Sequence, residues 1–323
     1  MDTTKSRVLY MLEKSRGEWV TGQTIAESMS VTRASVWKAV RMLREDGHGI
    51  DAYPRRGYCL RAGSDVLSAE GVRAAFKNAM FPVPVEYAET IDSTNAELRR
   101  RGELPDGFTL IANEQTAGRG RLGRRFYSPP GTGLYLSIYR KLGWEPERAR
   151  LVTLAAAVAV SRAIETLTDT HTSIKWVNDI YVGERKIAGI LVEGDTDYPT
   201  GTLRSAVIGV GVNCATEAFP EEIAARAGSL TRPVLRVQLA AEIIRGLMSL
   251  NTSTEMLDAY RSRDFLYDRH IAYERNGERF TGLAHGIGDD GSLLVRTDAG
   301  EVTLGAGEVT LSRWANEEAA LKY

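Results

Sequence analysis

Cysteine is scarce in this 323-residue sequence, which contains only 2. Cys59 and Cys214 fall in different predicted domains, so the sequence indicates neither a disulfide framework nor a zinc site, and no metal ligands are predicted. Apolar runs are also short: none approaches the ~18 residues of a membrane-spanning helix, and the first residues, MDTTKSRVLY, lack the apolar segment of a secretion signal. We therefore expect a cytoplasmic protein that does not enter a membrane.

Net charge is also nearly absent, since 41 basic residues face 42 acidic ones and the formal charge is -1. This balance argues against a uniformly basic nucleic-acid-binding protein. The distribution is uneven, however. Residues 1–63 carry 11 Lys and Arg against 7 Asp and Glu, a net charge of +4, which leaves -5 for the remainder. The asymmetry predicts a basic module joined to a slightly acidic body.

The basic module shows three helical segments followed by a hairpin. Apolar residues recur at helical spacing in each segment, and Thr32 is the predicted N-cap of the third. The stretch GIDAYPRRGYCL then alternates as two short strands around Pro54–Gly57. This order predicts a winged helix-turn-helix, with the third helix in a major groove and the wing on phosphates. The predicted DNA-binding residues are Arg33, Ser35, Lys38, Arg55 and Arg56.

A small helical protein-docking domain is the alternative for this module, because a basic helical stripe alone is often just a solvated surface. Two arginines at the tip of the predicted wing favour DNA binding instead, since this is where a wing meets the phosphate backbone.

The stretch GRGRLGRR, residues 118–125, matches the dinucleotide-binding pattern G-x-G-x-x-G. That fold requires a helix to begin at the pattern, whereas FYSPPGTG and then the strand LYLSIYR follow here. No Walker lysine–serine pair follows a glycine either. The stretch therefore predicts a flexible loop in which arginines can bind carboxylate or phosphate oxygens, with a merely solvated loop as the alternative.

Further secondary structure is predicted in the body. Residues 65–79 form a predicted amphipathic helix and residues 151–167 a buried one. The stretch SIKWVNDIYVGERKIAGILVEG predicts one strand, a turn at Gly183–Glu184, and a second strand. Within 12 residues this stretch holds charged and polar groups beside buried strands, which is costly unless they are paired or functional. They are Lys175, Trp176, Asn178, Asp179, Arg185 and Lys186.

Four segments, DSTN, EQTAGRGRLGR, KWVNDIYVGERKIAGILVE and IGVGVN, together resemble the successive signature segments of the bacterial biotin–protein ligases. With the winged helix ahead of them, the sequence resembles, over essentially its whole length, the bifunctional ligases that also repress the biotin operon. The resemblance implies a multidomain α/β protein. Its expected parts are a winged helix-turn-helix (1–63), a central α+β ligase domain with a mixed sheet (64–268) and a small SH3-like β-barrel (269–323). Turn signals after Arg269 fit the barrel.

The resemblance also implies a set of site residues. Those expected to bind biotin are Ser93, Thr94, Asn95, Gln115, Arg119, Gly120, Arg121 and Lys186. Those expected to bind the nucleotide are Arg119, Arg121, Asn178, Lys186 and Asn213, and those expected to act in catalysis are Lys186, Asp179 and Arg121. In the segment CATEAFPEEIAARAGSL after Asn213, Phe219 is the only aromatic residue available for stacking. The final GEVTLSR departs from the family pattern, because Arg313 comes one position late.

The implied reaction has two steps. The carboxylate of biotin attacks the α-phosphate of ATP, with Mg²⁺, to give biotinyl-5′-AMP. A lysine of the acceptor, expected to be the biotin carboxyl carrier protein of acetyl-CoA carboxylase, then attacks the activated carbonyl. Two anions must meet in the first step, so fixed positive charge is the expected catalytic device.

The resemblance further implies binding to operator DNA and a homodimer when the adenylate is bound. Two alternatives remain: a regulator that senses biotin with little ligase activity, and a lipoate-type ligase. Retention of Lys186, Asp179 and the arginine loop argues against the first, and the pairing of GRGRLGR with KWVND against the second.

Overall fold

The computed structural model describes residues 3–76, 83–275, 277–305 and 309–311. Three regions follow one another along the chain: a helical domain with a hairpin, a body built on a seven-stranded sheet, and a five-stranded antiparallel sheet. Within these residues no helix is both long and apolar enough to cross a lipid bilayer.

The first region is a winged helix-turn-helix, as predicted. Its elements are α1 (Thr4–Lys14), α2 (Gly22–Met29), α3 (Arg33–Glu45), β1 (Ile50–Tyr53) and β2 (Gly57–Leu60). Each helix begins at a threonine whose hydroxyl accepts a backbone N–H, and at α3 this is Thr32 accepting from Ser35, as predicted. The apolar faces of the three helices close one core with Ile50 and Leu60.

The wing is an antiparallel hairpin in which Ile50 faces Leu60 and Tyr53 faces Gly57. Arg55 lies at its tip with a φ of 67°. Gly57 has a φ of 96°, and a Cβ there would lie 2.1 Å from the carbonyl oxygen of Val20. The wing therefore packs directly on the chain ahead of α2, and only glycine fits at this position.

The body contains seven strands and seven helices among the described residues. The strands are β3 (Val85–Ile91), β4 (Thr109–Gln115), β5 (Gly133–Trp144), β6 (Ser173–Lys175), β7 (Asp179–Val182), β8 (Arg185–Thr196) and β9 (Leu203–Asn213). The helices are α4 (Ala69–Ala75), α5 (Thr94–Arg101), α6 (Pro146–Ala149), α7 (Val152–Thr168), α8 (Glu221–Ala224), α9 (Arg236–Met248) and α10 (Thr254–Arg261).

The sheet order is β3-β4-β5-β9-β8-β7-β6, with β3 and β4 parallel and every other pair antiparallel. The mixed sheet expected for the body is thus confirmed. Helices α7 and α9 pack on one face and form the large core with residues such as Ile138 and Ile208. Helix α5 packs on the other face, where Leu98 meets Tyr139 and Val207. Because neighbouring strand residues point to opposite faces, the α5 side also receives Ser137 and Gly209.

The structure corrects two of the predicted elements. The helix expected over 65–79 begins at Ala69, because Ser68 caps it by accepting the N–H of Gly71. Its described part ends at Ala75, and residues 77–79 lie outside the described ranges. The single strand expected across SIKWVNDIYV is instead two strands, β6 and β7, in which Lys175 faces Asp179.

The turn between these two strands is residues 176–178, and its Trp176–Val177 peptide is cis. The Trp176 indole is buried and donates a hydrogen bond of 3.0 Å to the carbonyl of Gly291. The Tyr260 hydroxyl donates to the carbonyl of Val177. Burial raises the pKa of Tyr260 well above its ordinary value, so this hydroxyl remains a donor. Contacts from distant parts of the chain therefore hold the turn.

The third region is the small β-domain expected from the sequence. Its strands are β10 (Arg269–Arg275), β11 (Glu278–Ile287), β12 (Leu293–Thr297), β13 (Gly300–Leu304) and β14 (Val309–Leu311). They pair antiparallel in the order β13-β12-β11-β10-β14. Their buried side chains join the same core as α7 and α9. Arg313, named in the sequence analysis, lies outside the described residues.

Candidate active site

A cavity opens on the α5 side of the sheet, where the start of α5, the arginine loop and the turn before β7 converge. All of the residues expected to bind biotin line it: Ser93, Thr94, Asn95, Gln115, Arg119, Gly120, Arg121 and Lys186. Asn178 and Asp179 line it too. The fold thus brings together side chains separated by nearly one hundred positions of sequence.

One end of the cavity is polar but uncharged. Ser93 caps α5, and the next residue, Thr94, donates from its backbone N–H and its hydroxyl to Oε1 of Gln115 at 2.9 and 3.1 Å. Nε2 of Gln115 in turn donates to Ser128 at 3.0 Å. Ser137, fully buried in β5, lies 2.7 Å from the Thr94 hydroxyl. These neutral donors and acceptors hold one another in fixed directions.

Asn95 fixes the back of this end. Its Oδ1 lies 2.5 Å from the Ser137 hydroxyl, and its Nδ2 donates to the carboxylate of Glu193 at 3.0 Å. Gly209 on β9 leaves room for it, because a Cβ at that position would lie 2.1 Å from Asn95 Oδ1. The amide is therefore held between α5 and two strands.

The arginine loop, residues 118–125, has hydrogen bonds of its own. Gly120 donates its N–H to the carbonyl of Arg124 at 2.8 Å, and Phe126 donates to Gly118 at 2.9 Å, so the loop closes on itself. A short 3-10 turn, Arg121–Gly123, lies at its tip. Nη1 of Arg121 donates to Oδ1 of Asn178 at 3.3 Å across the cavity. The loop therefore forms one side of the cavity and contributes positive charge to it.

The other end of the cavity is charged. Nζ of Lys186 on β8 lies 2.7 Å from Oδ1 of Asp179 on β7, and both side chains are partly exposed. Asn178 donates from Nδ2 to the carbonyl of Ile190 at 2.8 Å, which fixes its Oδ1 toward Arg121. Cations outnumber carboxylates here: Arg119, Arg121, Arg124, Arg125, Lys175 and Lys186 line the cavity with Asp179. The net positive potential at this end of the cavity attracts anions.

Asn213, expected to bind the nucleotide, does not line this cavity. It is buried at the end of β9, and its Nδ2 donates to the carbonyl of Gly228 at 2.9 Å. Phe219 lies beyond it with its ring edge toward Tyr127, at 6.3 Å between centroids. A nucleotide contact by Asn213 stays a prediction, and its present role is to tie the chain after β9 to the residues around Gly228.

Several residues of the site were missed by the sequence analysis, among them Phe126 and Val309, which line the cavity, and Ser137, which supports Thr94 and Asn95 from behind. Ser137 left a readable signal, because a hydroxyl in the middle of the apolar strand LYLSIYR must find a partner inside the protein. Phe126 left none, since its ring is placed by contact with Gly211, where a Cβ would lie 2.4 Å from it. Val309 reaches the cavity from the third region.

The predicted DNA-binding residues lie on two elements of the first region. Arg33 is exposed at the start of α3, and Ser35 and Lys38 border a groove between α1, α3 and β3. Arg55 lies at the wing tip, and the guanidinium of Arg56 stacks over the Trp19 ring at 4.6 Å.

Comparison with known families matches each region separately. Residues 4–59 match an HTH domain, residues 87–213 match the biotin/lipoate A/B protein ligase family, and residues 268–312 match the biotin protein ligase C-terminal domain.

Individual proteins give the same picture. The chain is 32% identical, over 96% of its length, to the bifunctional ligase/repressor BirA of Salmonella typhimurium, of which it covers 98%. It is 32% identical, over 67% of its length, to the biotin–[acetyl-CoA-carboxylase] ligase of Mycobacterium tuberculosis, of which it covers 85%.

A solved structure also superposes on it. The biotin protein ligase of Aquifex aeolicus, determined with biotin and ATP, has a TM-score of 0.60 and 26% identity. The match covers 72% of this chain and 100% of that one. The chain therefore belongs to the BirA family of bifunctional biotin ligases and repressors.

Proposed function

We propose that this protein joins biotin to ATP to form biotinyl-5′-AMP, transfers the biotinyl group to a lysine of a carrier protein, and represses transcription in response to biotin. The observation that carries the ligase function is the division of one cavity into an uncharged hydrogen-bonding end and a cationic end. Biotin has the same division, with a neutral ureido ring at one end and a carboxylate at the other.

The neutral end is suited to the ureido group. Ser93, Thr94, Asn95 and Gln115 offer hydroxyl and amide groups that donate and accept without charge. Because their partners within the protein fix them in place, a ligand that forms the matching bonds loses little further entropy of ordering. A substrate lacking those groups gains no hydrogen bonds from this end, which supports selection of biotin over an apolar acyl chain.

The cationic end is suited to the first chemical step. Arg119, Arg121 and Lys186 are assigned the carboxylate of biotin and the α-phosphate of ATP, where negative charge accumulates as the two anions meet. The oxygen of the biotin carboxylate forms a bond to the α-phosphorus, and pyrophosphate leaves. Closure of the arginine loop over the product keeps water from the acyl-adenylate.

Asp179 is assigned to the second step. Its carboxylate borders the cavity and is accessible from solvent, so it can orient an incoming lysine amine and accept hydrogen bonds from it. The amine nitrogen forms a bond to the activated carbonyl carbon, and AMP leaves. The proposed acceptor is the biotin carboxyl carrier protein of acetyl-CoA carboxylase, the enzyme in the name of the relative from M. tuberculosis.

Magnesium fits this site as an ion carried by the nucleotide. Groups of three or more His, Cys, Asp or Glu side chains able to hold a metal are absent from the described ranges, and Asp179 is the carboxylate at the cavity. Mg²⁺ is commonly held by one or two carboxylates together with substrate phosphates and water. Bound in this way, the ion would neutralise charge on the pyrophosphate, while the arginines and Lys186 act on the reacting groups.

The repressor function is supported by the winged helix-turn-helix and its relatives. The proposed ligand is operator DNA. A homodimer is proposed for the adenylate-bound state, since one winged helix reads one half-site and two half-sites need two copies. In the described part of the chain, β8 between Val192 and Thr196 pairs only with β9, so its other edge is available to a second copy or to the carrier. The cytoplasmic location remains a prediction.

One experiment separates the candidate functions. Purified protein is incubated with ATP, the carrier domain of acetyl-CoA carboxylase, and either labelled biotin or labelled lipoate. We expect biotin, and not lipoate, on a single lysine of the carrier. Lipoate transfer would establish the lipoate-type ligase, and biotin binding without transfer would establish a sensor that regulates without ligating.

A further inference from the structure

Helix α3 presents an exposed tryptophan. Trp37 has 57% of its surface exposed, whereas the core of the domain is closed by Val36, Val40 and Leu43 of the same helix. The indole therefore contributes little to packing within this domain. A single exposed aromatic side chain is common on protein surfaces, so its neighbours decide whether it has a partner.

The neighbours of Trp37 are cationic. Arg33 precedes it by one helical turn and Arg41 follows it by one, so the three side chains form a column on one face of α3. The Arg41 guanidinium lies over the indole at 5.4 Å from the ring centroid. This stacking restricts the indole to fewer orientations. This face therefore combines an apolar ring with positive charge on both sides. These properties match a polyanion that also offers apolar groups.

The wing also presents two arginines, one of which stacks on an aromatic ring. The wing carries Arg55 at its tip, and Arg56 stacks on Trp19. The groove on the other side of α3, which Ser35 and Lys38 border, also contains Glu70 and Glu89, whose carboxylates repel phosphate. A duplex approaching this domain is therefore attracted to the side of Arg33, Trp37 and Arg41.

We propose that Trp37 is a specificity-determining residue that contacts thymine methyl groups in the major groove of the operator. This inference rests on the proposed DNA-binding function and adds the base that α3 reads. The C5-methyl of thymine is the apolar group that a base pair presents in the major groove. Arginines at both ends of the column contact the phosphates or guanine edges, and the indole between them covers the methyl.

The test begins with a defined probe. A duplex is selected from a randomised pool on the wild-type protein with biotin and ATP. Its affinity is then measured for the wild type and for Trp37→Ala, with each thymine replaced singly by deoxyuridine, which lacks only the methyl. We expect Trp37→Ala to weaken binding about tenfold, or ~1.4 kcal/mol. One or more uracil replacements should weaken wild-type binding about fourfold, or ~0.8 kcal/mol, and leave Trp37→Ala unaffected.

Tyr10→Ala is the matched control. Tyr10 is also an exposed aromatic residue, at 40%, with Lys14 over its ring, but it lies on α1. It should leave both the affinity and the uracil effect unchanged. Melting curves and carrier biotinylation, measured for all three proteins, show that the domain and the ligase are intact.

Three outcomes overturn the inference. If each uracil replacement costs wild type and Trp37→Ala equally, the indole does not contact a methyl. If Trp37→Ala binds the duplex normally but biotinylates the carrier poorly, the face docks a protein. If the wild type enriches no duplex at all, the proposed DNA-binding function itself fails.

Discussion

Lys186 is the cation that the structure holds most firmly against a site carboxylate, at 2.7 Å from Asp179. Lys186→Ala removes positive charge from the point where the phosphoryl charge develops. We expect adenylate formation to fall by about 10²–10³-fold, the typical effect of removing one such group. Pyrophosphate release in single turnovers measures it. Lys141→Ala, which breaks an exposed pair with Glu103, is the control and should keep full activity. Near-normal pyrophosphate release from Lys186→Ala would reject the role of this lysine.

Gly209 tests the neutral end of the cavity. In Gly209→Ala the new methyl would meet Asn95 Oδ1 at 2.1 Å, so the amide must move away from its partners. We expect biotin binding to weaken by ~1–3 kcal/mol, the usual cost of overpacking a well-packed site. Calorimetric titration of biotin measures this change. Gly63→Ala adds a methyl with nothing within 4 Å and should bind biotin normally. Equal affinities in the two variants would show that Asn95 is not part of the biotin site.

Asp264 gives the protein a pH-dependent stability. Its Oδ2 is buried without a hydrogen-bond partner among the described residues, and burial raises its pKa to about 6. In an unfolded chain the pKa is about 3.9. A carboxyl with a raised pKa stabilises the fold fully below the unfolded value, and this contribution is lost as the pH rises through 6.

Asp264→Asn removes that ionisation. We expect the variant to be more stable than wild type above pH 6, by up to ~3 kcal/mol, and the difference to disappear near pH 4. Thermal melts between pH 4 and 8 measure it. Asp258→Asn, on the exposed side of α10, is the control and should show no such trend. The prediction would be contradicted if the difference in stability between wild type and Asp264→Asn were the same at every pH.

At the scale of elements, the segment between the wing and α4 is fixed by one arginine. Arg236, 4% exposed, donates its backbone N–H and its Nε to the carboxylate of Asp65 at 2.7 and 2.9 Å. Its Nη1 also donates to the carbonyl of Gly133 at 3.2 Å. The segment is thereby attached to the first turn of α9 and to β5.

Asp65→Ala leaves the Arg236 guanidinium buried without its carboxylate. We expect a loss of ~3 kcal/mol in the free energy of unfolding, as for other broken buried pairs. Chemical denaturation measures it, and proteolysis within residues 61–68 should become faster. Asp195→Ala breaks a pair with Arg204 in which both side chains are 60% exposed, and should cost less than ~1 kcal/mol. Similar losses in the two variants would mean that the Arg236 pair is no stronger than a surface pair.

Elements whose signals are local could be predicted from the sequence. Helices of the first region have threonine caps and regular apolar spacing, and the wing has its own turn residues, so their positions agree with expectation. The turn at 176–178 contains neither glycine nor proline and depends on Gly291, which lies 115 positions later. Likewise, Asp65 is held outside α4 by Arg236, 171 positions away, and the helix begins only after the cap at Ser68.

The site shows the same division. Motif residues known by resemblance converge on one cavity, because the start of α5, the loop after β4 and the turn between β6 and β7 all border it. Asn213 does not reach that cavity, since its side-chain direction is set by the end of β9 and by Gly228, which no motif specifies. Phe126 and Val309 enter through packing between segments that have no common sequence signal.

For the whole molecule, we expect the adenylate to control assembly. If ordering of the arginine loop favours the dimer, biotinyl-AMP should tighten dimerisation by 1–3 kcal/mol, or about 5–150-fold, and the dimer should bind the adenylate more tightly by the same factor. Sedimentation with biotinyl-AMP, with biotin alone and with AMP measures this effect. Identical dimerisation constants in all three would leave the winged helix without control by biotin.

Val309 lines the cavity, and a hydrogen bond to Gly291 holds Trp176 in its lining. The newly made chain therefore completes this cavity late. The winged-helix core is closed within residues 8–60, so it can fold soon after it leaves the ribosome. The cavity gains its last wall only when β14 emerges, roughly tens of seconds later at ordinary rates of synthesis. We therefore expect the winged helix to fold before the biotin cavity is complete, so that translation sets the order in which the two sites form.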